Sequence, residues 1–172
     1  LLRDALTKGR AEIRRRFGEP GPLKNDGPAV LVATSYLMDQ IIRVLYDFAD
    51  QHAYPAANPS AGERLGLVAT GGYGRGELAP LSDIDLLFLR PYKQTPRGEQ
   101  IVEYMLYTLW DLRLKVGHAT RTIDESMRLA QGDHTIRTAL LESRYLWGVP
   151  ELYHAFTRAF AQAFLSGYGR VF

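Results

Sequence analysis

Two aspartates separated by one residue, Asp83 and Asp85, stand at the head of the apolar run Ile84-Asp85-Leu86-Leu87-Phe88-Leu89. In an extended chain alternate side chains share a face, so the two carboxylates project together, roughly 6–7 Å apart, while Ile84 and Leu86 turn toward a core. Like charges at that spacing repel unless a cation lies between them. Hard carboxylate oxygens suit Mg²⁺, which keeps several waters and accepts substrate phosphates as further ligands. The pair therefore points to chemistry at the phosphates of a nucleotide, with Asp83 and Asp85 as both metal-ligating and catalytic candidates.

The segment before the aspartates supplies matching groups. Gly71 and Gly72 carry no side chain, so their backbone N–H groups are open to close approach by an anion, and successive amides in a turn form an anion-binding concavity. Arg75 and the hydroxyl of Ser82 add donors for phosphate oxygens. The pattern is not a P-loop, because no Gly-Lys-Ser/Thr follows the glycines. Nor is it a dinucleotide fingerprint, since a turn and a strand rather than a helix are expected after them.

These groups need a scaffold. Leu65–Ala69 and Ile84–Leu89 read as two strands joined by the glycine- and proline-bearing segment, and Val116–Ile123 reads as a third, entered through Gly117. Helices are expected over Leu1–Phe17, Ala29–Ala53, Glu99–Leu114, Ile123–Gly132, His134–Trp147 and Glu151–Leu165, with Pro150 at a favourable first position. In the second of these, Leu37, Ile41, Leu45 and Phe48, widened by Tyr36, Val44 and Ala49, are expected to face the core; Trp110 is expected to anchor it. Glu19–Pro28 breaks the chain between the first two helices. The result is an α+β fold with a small mixed sheet. It divides into an N-terminal helix and loop (1–28), a core (29–125) and a helical extension (126–172).

Composition is that of an ordinary globular domain: 172 residues, 46% hydrophobic and 23% charged. A formal charge of +2 gives no reason to expect nucleic acid or a membrane surface as partner, and no signal peptide or run approaching a membrane span is read from the sequence. With no cysteine, neither a disulfide framework nor a thiolate metal site is available, in keeping with a cytoplasmic protein.

The order Gly-Gly at a strand end, Arg-Gly, then Ser-Asp-x-Asp at the head of an apolar strand resembles the signature of the polymerase beta-like nucleotidyltransferase superfamily. More narrowly, Gly71–Leu78 (GGYGRGEL), Ser82–Leu87 (SDIDLL) and Trp110–Thr122 (WDLRLKVGHATRT) are similar to the N-terminal catalytic domain of the bacterial PII uridylyltransferase/uridylyl-removing enzymes. The resemblance implies Mg²⁺ as cofactor, UTP as donor and a tyrosine hydroxyl of the PII nitrogen-regulatory protein as acceptor. Gly71, Gly72, Arg75 and Ser82 are the expected phosphate-binding residues, together with Arg121, which is open to two readings, a group facing the triphosphate or one side of a surface ion pair. In the wider superfamily a third carboxylate comes from the neighbouring strand; here that strand offers His118, Thr120 and Arg121 but no acid, which leaves the general base unassigned. His118 is open to two readings, a group at the metal site or a structural histidine. In that family uridylyl removal resides in a separate His-Asp domain and glutamine sensing in later domains. With histidines only at 52, 118, 134 and 154 and no His-Asp pair, neither is expected here, so the expectation is transfer without removal. The chain opens Leu-Leu, as a piece of a longer protein would. Two other readings are an adenylyl- or antibiotic nucleotidyltransferase of the same fold, and a nucleotide-binding module that is catalytically silent for want of the third acid.

Overall fold

The computed structural model describes residues 1–17 and 27–165. The break expected at Glu19–Pro28 falls mostly outside them, as does the end of the chain beyond 165. Four strands form one mixed sheet: β1 (Gly66–Ala69), β2 (Ile84–Leu89), β3 (Val116–Arg121) and β4 (Arg144–Gly148), in the order β3-β2-β1-β4. β1 runs antiparallel to both β2 and β4, and β2 runs parallel to β3. The seven α-helices among the described residues are α1 (Leu2–Phe17), α2 (Gly27–Phe48), α3 (Gly71–Gly74), α4 (Pro96–Asp111), α5 (Ile123–Gly132), α6 (His134–Leu141) and α7 (Pro150–Phe160).

Strand alternation divides the core in two. Leu67, Ala69, Ile84, Leu86 and Phe88 face one way, onto Met38, Ile41, Ile42 and Leu45 of α2 and Ile101, Met105 and Leu109 of α4. Val68, Leu87 and Leu89 face the other way, onto Ala130 of α5, Leu140 of α6, and Phe156 and Phe160 of α7. The sheet is thus a layer between two helical layers, and all of these side chains are buried. Local signals explain several helix starts. Thr95 accepts a hydrogen bond from Gly98 N at the head of α4, with Pro96 in its first turn. Thr122 and Glu125 form a reciprocal capping box on α5. Asp133 accepts from Thr135 N and Ile136 N to open α6.

Four expectations are corrected. The helix expected over His134–Trp147 ends at Leu141, and Arg144–Gly148 is the edge strand β4, paired to β1. Gly148 takes a left-handed φ of 84°, and a side chain there would collide with the Leu65 carbonyl, so the residue both ends the strand and lets it lie against β1. In α2 the buried stripe runs through Met38, Ile41, Ile42 and Leu45, leaving Tyr36, Val44 and Phe48 exposed. Trp110 is exposed as well, edge-on to Tyr107 and His118. Finally, Gly27–Ala53, α2 with its π-helical last turn, is one helix long and apolar enough in composition to cross a membrane, although its buried stripe serves the core.

Candidate active site

Asp83 and Asp85 lie where β2 begins, both exposed, with Ile84 between them buried in the core. No Lys, Arg or hydrogen-bond donor among the described residues pairs with either carboxylate. Partial desolvation, with Asp83 beside it, pushes the Asp85 carboxyl above the ordinary aspartate range. A carboxylate that is partly desolvated, next to a second one and without a counter-charge is a position a cation would stabilise.

The glycine turn comes directly to this carboxylate. β1 ends at Ala69, Thr70 N donates to Asp85 O at 3.1 Å, and Gly71–Gly74 form one turn of helix where the sequence suggested an open loop. Gly71 has φ 58°, a left-handed conformation that glycine adopts without a steric penalty, and a methyl group there would stand 3.4 Å from Asp85 Oδ2. The residue opposite Asp85 in the parallel β2–β3 pairing is Gly117, where a methyl group would stand 2.5 Å from Asp85 Oδ1. The Asp85 side chain therefore lies in a slot walled by two glycines, one from each flanking segment.

Gly117 was missed as a site residue. Its signal was present, since a glycine inside a strand marks a place where another group approaches closely. Its identity also bears on the missing third acid: the position on β3 directly beside Asp85 has no side chain at all.

Asp85 borders a cavity of about 260 Å³ shared with Thr70, Gly117, Arg121, and Ile136 and Ala139 of α6. Arg121 lies on the same face of β3 as Gly117, with no ion-pair partner among the described residues, and so brings a free positive charge to the cavity that contains Asp85. His118, one residue from Gly117, faces the other side of the sheet, with its ring 6.2 Å from that of Trp110. His118 is exposed and also borders the cavity beside Asp85, so both readings of this histidine stay open.

Arg75 lies over Gly72, since a methyl group on Gly72 would come within 3.6 Å of its guanidinium. Its charge is shared between Glu77 (2.9 Å) and Glu142 (2.6 Å), both surface carboxylates. Ser82 is exposed in the turn before Asp83 and borders a different, largely apolar cavity between α1, α2 and residues 78–84. Of the residues expected at the site, the structure brings Gly71 and Asp85 into contact range, sets Arg121 on the cavity that Asp85 borders, and leaves Ser82 at the neighbouring surface.

The donor set fits Mg²⁺: oxygen ligands only, two carboxylates, and a cavity beside Asp85 with space for water and phosphate. No cluster of three acidic, histidine or cysteine ligands exists among the described residues, so the remaining ligands would come from water and substrate.

Residues 58–146 match the nucleotidyltransferase domain family, and the chain belongs to that family. The matched span includes the glycine turn, both aspartates, β3 and most of β4. Two curated relatives align with nearly the whole chain, and both are named bifunctional uridylyltransferase/uridylyl-removing enzyme. The protein from Rhodospirillum rubrum is 58% identical over 169 residues, 98% of this chain and 18% of its own length. That from Azospirillum brasilense is 55% identical over 171 residues, 99% of this chain and 18% of its own length. The chain thus spans less than one fifth of these relatives.

Proposed function

We propose that this domain transfers UMP from UTP to a tyrosine hydroxyl of a PII-type nitrogen-regulatory protein and releases pyrophosphate. The observation that carries the reading is the unpaired Asp83/Asp85 couple at the head of β2, set against the glycine turn. The names of the two relatives supply the uridylyl group, and the resemblance noted in the sequence supplies the acceptor.

In this reading Asp83 and Asp85 hold Mg²⁺, whose charge offsets that of the triphosphate. Gly71 and Gly72 present backbone N–H groups to the β- and γ-phosphates. Arg121 adds positive charge beside the departing pyrophosphate, while Arg75, held by Glu77 and Glu142, and Ser82, on the neighbouring surface, would have to turn toward the triphosphate to add their donors. The acceptor oxygen bonds to the α-phosphorus as the bond from that phosphorus to the α,β-bridging oxygen breaks, and the phenolic proton is lost to a base outside the residues assigned here. The protein's main contribution is alignment and electrostatics, since this transfer asks for little covalent chemistry from side chains.

One observation favours a second reading. With Gly117 opposite Asp85, no third carboxylate stands on β3, as a module that binds nucleotide without turning it over would have it. The test is mass spectrometry of purified PII protein after incubation with the full chain, UTP and Mg²⁺. A uridylyl adduct on a tyrosine supports transfer; Mg-dependent UTP binding with an unmodified acceptor supports the silent module.

A further inference from the structure

A turn of four residues, three of them glycine, has little stiffness of its own, so whatever holds it decides where a phosphate can be met. Here it is held from beneath. Tyr73, the one residue of the turn with a side chain, is 1% exposed and donates its hydroxyl to Asp39 Oδ1 at 2.7 Å. Arg144 of β4 donates to both oxygens of the same carboxylate, at 2.8 and 3.1 Å. Its guanidinium also reaches the turn's backbone, with Nη2 donating to Tyr73 O at 3.2 Å and Nε to Gly74 O at 3.3 Å, and its Cζ lies 5.4 Å from the centre of the Tyr73 ring. Burial, with the Asp39 charge adding to it, pushes the Tyr73 hydroxyl well above the ordinary range and keeps it a donor. Gly74 closes the arrangement, because any side chain there would collide with the Glu142 carbonyl.

We propose that Asp39 and Arg144 are positioning residues for the nucleotide: by clamping the Gly71–Gly74 turn to α2 and β4 they fix it against Asp85 and so set how tightly a triphosphate is held. The proposal rests on the nucleotidyl-transfer reading. A pair that serves stability alone would, when altered, lower the melting midpoint and leave nucleotide affinity unchanged.

The discriminating variant is Arg144→Lys, which keeps a cation beside Asp39 but loses the planar fork that reaches the carboxylate and two carbonyls at once. In the full chain, the KM for the nucleotide is expected to rise about tenfold while kcat changes by less than about threefold, the pattern of lost ground-state binding. The KM for the acceptor protein should not move. Tyr73→Phe, which removes only the hydroxyl, is expected to raise the nucleotide KM by about threefold. An unchanged nucleotide KM in either folded variant overturns the proposal, even if the melting midpoint falls. If Arg144→Lys does not fold, Tyr73→Phe decides. If the wild type binds UTP without transferring it, the transfer reading fails, and the UTP dissociation constant of the same variants, measured by calorimetry with Mg²⁺, still decides the positioning claim.

Discussion

Asp39 and Asp85 meet the same glycine turn in opposite surroundings. Asp39 is 8% exposed, and both of its oxygens are engaged, by Tyr73 and by Arg144. Asp85 is exposed, stands next to a second carboxylate, and has no cation or donor among the described residues; its pKa is raised. A buried carboxylate with all its partners supplied by the chain is built to stay as it is. One left with repulsion and no partner is built to receive something from outside. The same local backbone thus has a closed side, with every carboxylate oxygen engaged, and an open side, with a carboxylate left unpaired among the described residues.

The strongest way to break the contrast is on the open side. Asp83→Asn/Asp85→Asn should lower transfer by on the order of 10³-fold or more, about 4 kcal/mol of transition-state stabilisation, with no loss of thermal stability. On the closed side, Asp39→Ala leaves Arg144 and Tyr73 without their shared acceptor. It should cost about 3 kcal/mol of folding stability by urea denaturation. Gly117→Ala tests the slot itself: the added methyl displaces the Asp85 carboxylate, and transfer should fall about 100-fold while secondary structure by circular dichroism is retained. Arg75→Ala removes two surface ion pairs and should change stability by less than about 1 kcal/mol.

The smallest effect sharpens the contrast through pH. Because the folded state raises the Asp85 pKa above the ordinary 3.8, the native protein holds that proton more tightly than the unfolded chain does. Stability should therefore fall slightly as pH rises from 3.8 through the raised value, then level off. In metal-free buffer Asp85→Asn should melt slightly higher than wild type at neutral pH, with the difference gone below pH 3.8. Added Mg²⁺ should raise the wild-type midpoint and not that of the variant.

How much of this was legible in the sequence follows the range of the interactions. The aspartate pair, strands β1 to β3 and the bodies of helices α4 and α5 are written in residues close together, as in the alternation at 83–86, whereas the start of α4 at Thr95-Pro96 lies before the expected Glu99. β4 was missed because Arg144–Gly148 does not alternate cleanly, and its strand state comes from pairing with β1 far away in sequence. The Asp39–Arg144 clamp spans 105 positions and leaves no local pattern. Trp110 was misplaced because aromatic character alone does not say which side of a helix faces the sheet. Gly117 had a readable signal as a strand glycine, but its meaning needed the register that sets it beside Asp85.

The proposed function puts Mg-dependent nucleotidyl transfer, with UTP as donor, on the Asp83/Asp85 side of the turn. Its most direct test is pyrophosphate release from UTP and from ATP, with Mg²⁺ or with EDTA, in the presence of purified PII protein. Release is expected to prefer UTP, to require the acceptor and to stop with EDTA. Release that prefers ATP, persists in EDTA, or is absent while UTP still binds would contradict the proposed function.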